Sequence, residues 1–155
     1  MKYIFLFFFF RTKSFAFEKV IKGAEIKQNE NIVLFIMPIA FNNIAEIKLN
    51  SRINFNLKQK SKIISIYDGT VIKLDKKLGY IKIQSTSEKE IILVRYYNIK
   101  NINLKKGDKI KKGECLGYVE DWFEIQVTIN DIIVNFFEYI SQDERKQNKI
   151  KILYY

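Results

Sequence analysis

Several residue types that build common functional sites are rare or missing in this sequence. Among its 155 residues there is no histidine, and there is one cysteine, one proline and one tryptophan. Without histidine the chain lacks the commonest general base and the commonest protein ligand of zinc. A single cysteine cannot form an intrachain disulfide, so no disulfide framework reveals the compartment. These absences exclude histidine-based catalysis and a disulfide-stapled small domain.

Apolar, aromatic and basic side chains are abundant instead. The 48% apolar and 15% aromatic content excludes general disorder, and the length suits one domain with a short extension. The net charge of +10 favours acidic partners such as anionic lipid or a polyanionic wall polymer, and with them peripheral membrane association. We interpret the lysines as spread singly along the chain. No nucleic-acid partner is therefore predicted, because such a binder needs a clustered basic stripe with exposed aromatics.

Short apolar runs between glycine-containing turns predict the fold class. Four runs are rich in β-branched side chains, alternate in part and have the length of strands. They are residues 70–74, 80–83, 91–94 and 123–127. Because glycine takes positive φ without steric cost, we expect hairpin turns at Gly69, at Gly79 and between Gly107 and Gly117. The sequence thus predicts an all-β core of short antiparallel strands.

The first 49 residues divide into two segments. Met1-Lys2 followed by eight apolar residues is typical of a secretory signal, and the run is far shorter than the roughly 20 residues that a membrane-spanning helix needs. We therefore assign residues 1–17 as a hydrophobic signal-like segment and expect an exported, periplasmic or envelope-associated protein. Residues 18–49 are expected to form a small β extension, in which residues 32–37 are a buried strand that ends at Pro38.

The predicted core spans residues 50–140. It opens with one polar segment, and a second polar segment follows it. Residues 50–61 are rich in asparagine and lysine and are predicted to form a loop or a sheet edge. Residues 141–149 are highly charged, and with the closing residues we assign them as a charged C-terminal tail, 141–155.

Four segments of the core carry patterns that occur together in one known family. The pattern V-x-A-x-x-x-G-x-V corresponds to Ile63 to Val71, and G-D-x-V-x-x-G-x-x-[IL]-G corresponds to Gly107 to Gly117. F-E-[IV] matches Phe123 to Ile125, and V-D-P-x-x-[YF]-[LI] is partly matched by Val134 to Ile140. In this order and spacing they resemble the LytM or lysostaphin-type zinc metallopeptidases, which cut peptidoglycan cross-bridges. The resemblance implies a LytM-like β-sheet core with β-hairpins, similar to a lipoyl hybrid motif.

The same resemblance implies where the active site of the family would lie. That family holds one zinc ion with H-x-G-x-D and with the second histidine of H-x-H, while Y-x-H-L and the first histidine of H-x-H act on the water and the oxyanion. The three ligand positions fall on Asn50, Asn54 and Trp122, and the two helper positions fall on Asn98 and Glu120. Neutral amides are poor zinc ligands, and an indole N–H can only donate. We therefore predict a degenerate member with no catalytic residue, no metal and no cofactor, in which these five positions line a possible binding groove. Trp122 either plugs the vacated metal position, the role we favour, or stacks on a sugar or on a partner side chain.

Family members that have lost the zinc ligands act as binding or regulatory modules. The resemblance thus implies a non-catalytic cell-envelope domain in peptidoglycan remodelling, with a cell-wall hydrolase, another envelope protein or peptidoglycan as its partner. One alternative is an active zinc peptidoglycan endopeptidase, against which the lack of histidine argues. Another is a lipoyl- or biotinyl-like carrier, which needs a modifiable lysine at an exposed hairpin tip flanked by Asp or Met, and we identify no such lysine.

Overall fold

The computed structural model describes residues 35–86, 90–140 and 152–154. The signal-like segment 1–17 lies outside these residues, as do most of the tail 141–155 and the first part of the extension 18–49. The strands within the described residues are β1 Ile44–Leu49, β2 Ile53–Leu57, β3 Ser61–Ile64, β4 Gly69–Asp75, β5 Tyr80–Thr86, β6 Ile91–Tyr97, β7 Lys109–Ile110, β8 Cys115–Val119, β9 Trp122–Ile129, β10 Ile132–Val134 and β11 Ile152–Tyr154. Short 3-10 helices span Phe41–Asn43 and Phe136–Tyr139.

Most of these strands form one sheet. Across the described residues its order is β11-β1-β2-β9-β6-β5-β4-β7, and β10 adds to β9. All of these pairings are antiparallel except that of β1 with β11, which is parallel. Strands β3 and β8 form a separate two-stranded antiparallel sheet. The predicted all-β fold of short antiparallel strands with hairpins is confirmed.

One face of the large sheet is buried because apolar residues alternate along its strands. In β9, Phe123, Ile125 and Val127 are buried, whereas the intervening Glu124 and Gln126 are partly exposed. Phe55 of β2 stacks on Phe123 with ring centroids 4.8 Å apart. Tyr96 of β6 is fully buried, and its hydroxyl accepts a hydrogen bond of 3.0 Å from the backbone N–H of Ile66, which follows β3. The core therefore lies between the large sheet and the segment carried by β3.

The segment 50–61 differs from its prediction as a loop or edge. Its residues Ile53–Leu57 form β2, which lies inside the sheet between β1 and β9. Ile53 and Phe55 are buried, while Asn54 and Asn56 alternate with them on the other face. Period-two alternation therefore outweighs the low β-propensity of asparagine here, because the apolar side chains pack on the core.

Gly69 was expected at a hairpin turn, and that prediction is wrong. It is the first residue of β4 and pairs with Ile110 of β7. A Cβ at this position would lie 2.5 Å from Ile83 Cγ2 and 2.7 Å from the carbonyl oxygen of Gln84. Glycine is needed there because the neighbouring strand approaches closely, and not because the chain turns.

The predicted strand at residues 32–37 is also not found over its described part. Phe35 forms an isolated parallel bridge with Ile140, and its N–H donates to the carbonyl oxygen of Tyr139 at 2.8 Å. Residues 36–38 belong to no strand, although Phe35 and Met37 are buried. The apolar character of the segment thus reflects packing on the core and not a sheet ladder.

Candidate functional site

A row of polar and aromatic side chains crosses the face of the large sheet opposite the core. Asn54 of β2 pairs with Glu124 of β9, and Glu124 pairs with Tyr97 of β6. Directly paired residues point to the same face of a sheet, so these three side chains stand side by side. Asn56 and Trp122 form the next pair along β2 and β9. We call this set the polar face: Arg52, Asn54, Asn56, Tyr97, Trp122 and Glu124.

Glu124 is the centre of a hydrogen-bonded network on the polar face. Arg52 Nη1 donates to Glu124 Oε1 at 3.3 Å, and Asn54 Nδ2 donates to Glu124 Oε2 at 3.3 Å. Asn56 Nδ2 in turn donates to Asn54 Oδ1 at 3.0 Å. Both oxygens of the carboxylate are therefore engaged, one by a cation and the other by an amide.

The guanidinium of Arg52 also contacts an aromatic ring. Its central carbon lies 3.9 Å from the centroid of the Tyr97 ring, within the range of a cation–π interaction. The Tyr97 ring lies 5.2 Å from that of Tyr80, its neighbour on β5. Burial raises the pKa of Tyr97 above its usual value, and the positive charge of Arg52 opposes that rise. Arg52 is thus held by a carboxylate on one side and an aromatic ring on the other.

The structure brings three of the five predicted site residues together. Asn54 lies within the network, and Trp122 stands beside it on β9. Asn98 follows β6 with a φ of 70°, a conformation that asparagine tolerates, and its Nδ2 donates to the carbonyl oxygen of Trp122 at 2.7 Å. Within the described part of the chain, no side-chain hydrogen bond joins Asn50 or Glu120 to the other three.

Trp122 is partly accessible to solvent. It is 39% exposed at the start of β9, so the residue is not enclosed and can contact a ligand. Filling of the vacated metal position and stacking on a sugar or partner side chain both stay predictions.

A protein-family model matches the middle of the chain, where the sequence motifs lie. Residues 48–124, about half of the sequence, match the model of peptidase family M23. The chain belongs to this family. The match includes β2 and the start of β9, so the M23 segment contains the polar face. No curated protein matches the chain.

Solved structures with the M23 fold resemble the chain at low identity. Helicobacter pylori Csd3 is 23% identical with a TM-score of 0.57, and the match covers 71% of this chain and 34% of Csd3. A chain of the SpoIIQ–SpoIIIAH pore-forming complex is 13% identical with a TM-score of 0.60, covering 71% of this chain and 92% of that one. A putative M23 peptidase of Pseudomonas aeruginosa is 14% identical with a TM-score of 0.51, covering 79% and 64%. The match spans about a third of the length of Csd3, and at these identities the likeness shows the shared fold.

Zinc is the metal that the resemblance implies, and the residues at its positions do not fit it. Asn50 and Asn54 offer neutral amides, and Trp122 offers an indole N–H that cannot ligate a cation. The guanidinium of Arg52 is a permanent positive charge next to Glu124, the carboxylate to which Asn54 also donates a hydrogen bond. This charge repels a divalent cation. Within residues 35–86, 90–140 and 152–154, no group of three or more histidine, cysteine, aspartate or glutamate residues is placed to hold a metal ion.

Arg52 and Glu124 were not among the site residues predicted from the sequence. Arg52 stands at the glycine of H-x-G-x-D, where a long cationic side chain is a visible departure from the pattern. Glu124 belongs to the F-E-[IV] segment, which served only to align the chain. A charged residue in place of glycine next to two altered ligand positions was the available signal.

Proposed function

We propose that the M23 domain of this chain is non-catalytic and acts as a binding or regulatory module in peptidoglycan remodelling. The observation that carries the proposal is the Arg52–Glu124–Asn54 network, which occupies the part of the sheet where the family pattern has its first metal ligands. We assign the module to residues 50–140, preceded by the extension 18–49 and the signal-like segment 1–17, and expect it to work in the cell envelope.

The network argues against hydrolysis by this site. A catalytic zinc lowers the pKa of its bound water from 15.7 to about 7, which supplies hydroxide at neutral pH. Here an arginine takes the place of the pattern's glycine, and both oxygens of the nearby carboxylate already accept hydrogen bonds. Glu120 and Asp121 precede β9 as adjacent carboxylates, but both are exposed, and neither has a side-chain bond to the polar face within the described residues. The site therefore has no activated nucleophile.

The polar face is suited to recognition. Trp122 and Tyr97 present aromatic rings, and Asn56 presents an amide that can both donate and accept hydrogen bonds. The amide of Asn98, which bonds to the backbone of Trp122, adds a further polar group next to this face. Amphipathic aromatic residues beside such amides are the groups that commonly bind sugars and peptides, the two components of peptidoglycan. A protein partner, such as a cell-wall hydrolase, is supported by the occurrence of this fold in the SpoIIQ–SpoIIIAH complex.

Location in the envelope rests on the family resemblance and on the apolar N-terminal sequence. No helix among the described residues has the length and apolar character needed to cross a membrane.

The proposal is tested by incubating the full chain with purified peptidoglycan sacculi, alone and together with a cell-wall amidase. We expect sedimentation with the sacculi or stimulation of the amidase, and no muropeptide release by the chain alone. Trp122→Ala should reduce the effect at least fivefold. Ile132→Ala is the matched control, because Ile132 is 68% exposed and pairs with Ile129, roughly 23 Å along β9 from Trp122.

Three outcomes contradict the proposal or its assignment to the polar face. Muropeptide release by the wild-type chain shows a working peptidase. Absence of both sacculus binding and amidase stimulation shows that the domain is not a module of peptidoglycan remodelling. An equal loss in Trp122→Ala and Ile132→Ala removes the polar face as the binding surface.

A further inference from the structure

Five exposed lysines lie on two consecutive turns and on the short strand between them, on the opposite side of β4 from β5. The turns are Lys105–Asp108 and Lys111–Glu114, with the short strand β7 between them, and β7 pairs with the beginning of β4. Lys105, Lys106, Lys109, Lys111 and Lys112 are all exposed. We call this set the lysine surface. The interpretation of the lysines as singly dispersed is wrong for this part of the chain.

The carboxylates near the lysine surface are bound to the backbone. Asp108 Oδ2 accepts from the N–H of Lys105 at 2.9 Å, and Glu114 Oε1 accepts from the N–H of Lys111 at 2.8 Å. Asp68 Oδ1 accepts from the N–H of Lys112 at 2.7 Å. These bonds fix the turns, but they leave the ammonium groups without a carboxylate partner. Among the described residues, none of the five lysines forms an ion pair.

Both turns are held firmly yet point outward. The N–H of Gly107 donates to the carbonyl oxygen of Val71 at 2.7 Å, and that of Gly113 donates to Ser65 at 2.9 Å. Gly107 and Gly113 have φ of 98° and 91°, and apart from their chain neighbours no atom lies within 4 Å of a Cβ placed on either. Both glycines are exposed, so the tips of the turns are open to solvent.

An exposed aromatic residue with lysines of its own around it lies on β8, the strand that follows the second turn. Tyr118 lies three residues after Cys115, roughly 10 Å along the strand, and is 39% exposed. Lys62 pairs with it across the small sheet, Lys100 bridges to its backbone, and Lys60 Nζ lies 5.8 Å from its ring centroid. Lysine and tyrosine are amphipathic side chains, with an apolar stem or ring and a polar tip. Such side chains are favoured at the surface of a bilayer.

We propose that the lysine surface, with Tyr118, docks the domain on an anionic phospholipid bilayer. The turns are exposed, and within the described residues their ammonium groups form no ion pair, so they can meet phosphate headgroups; Lys112 Nζ lies 5.9 Å from the Tyr67 ring centroid. Each lysine close to an anionic leaflet strengthens binding roughly fivefold. This surface is distinct from the polar face, since neither turn contributes a residue to it, so the two can engage membrane and partner at once.

The test measures binding of the full chain to phosphatidylcholine vesicles with and without phosphatidylglycerol. We expect binding only to the anionic vesicles, and weakening by added salt because exposed charges are screened. Lys105→Gln with Lys106→Gln should weaken binding at least tenfold. The matched control is Lys76→Gln with Lys77→Gln, another adjacent exposed pair in a turn capped by an aspartate, Asp75.

The control pair lies at the far end of β4, and its loss changes the net charge by the same amount. A change of less than threefold in the control supports a local docking surface. Equal weakening of both variants shows a response to net charge alone and overturns the proposal. It is also overturned by absence of binding to anionic vesicles, or by tighter binding of a double-stranded DNA fragment through the same two lysines.

Discussion

The pairing of Arg52 with Glu124 is the interaction whose strength can be measured most cleanly on the polar face. Arg52→Ala removes the 3.3 Å ion pair with Glu124 and the guanidinium that lies 3.9 Å from the Tyr97 ring. The backbone of β2 is left intact because Arg52 precedes the strand. The change therefore tests the network without disturbing the sheet.

The magnitude follows from the exposure of the two side chains. Arg52 is 48% and Glu124 24% exposed, so solvent screens their attraction, and such pairs contribute about 0.2–1 kcal/mol. The contact with Tyr97 adds about 0.5–1 kcal/mol at an exposed site. We expect Arg52→Ala to lower the free energy of unfolding by about 1–2 kcal/mol.

A double-mutant cycle in urea denaturation isolates the pair. Arg52→Ala, Glu124→Ala and the double variant should give a coupling energy of about 0.5–1 kcal/mol that falls in high salt. The cycle of Asn54→Ala with Glu124→Ala serves as the control, since its neutral donor makes the coupling less sensitive to salt. A coupling of Arg52 with Glu124 near zero, or one that salt leaves unchanged, would refute the network as described.

Two further predictions concern the core that supports the site. Burial raises the pKa of Tyr96 from its usual 10.0 to about 12, so the folded state keeps the phenol proton to higher pH than the unfolded state. This contribution to stability is complete below pH 10 and is lost as the pH rises towards 12, by about 3 kcal/mol. Urea denaturation of Tyr96→Phe should lack that alkaline loss, and an identical pH profile would contradict the assignment. Gly69→Ala should cost about 1–3 kcal/mol, because the new methyl group meets Ile83 and the β5 backbone. If Gly69→Ala leaves the stability unchanged, β4 and β5 are not as closely spaced at this position as described.

The sequence predicted the strands that follow one another along the middle of the chain, because their β-branched runs alternate clearly. It did not predict β2, where Asn54 and Asn56 interrupt the apolar pattern and resemble turn residues. Gly69 was mistaken for a turn since a glycine required by close strand packing looks the same in sequence as one required by positive φ. Neighbouring strands must be known before the two can be separated.

The sequence placed some candidate residues near one another but did not predict their contacts. Family spacing grouped five positions, of which Asn98 bonds to the backbone of Trp122 in the structure. Their role as a binding site stays a prediction. The partners of these residues come from long-range contacts, such as Arg52 with Glu124 across 72 positions, which no local pattern reports. The exposure of Trp122 was likewise hidden, because an aromatic residue at the start of a strand can face either side of a sheet.

The claim that this M23 domain is non-catalytic is tested most directly by zinc analysis and sacculus digestion on one preparation. The full chain is purified without chelator and supplied with zinc, and an active M23 peptidase is carried through the same steps. We expect no stoichiometric zinc and no muropeptide release, because Asn50, Asn54 and Trp122 offer no suitable ligand set. Stoichiometric zinc bound to the chain, or release of muropeptides that a chelator abolishes, would contradict it.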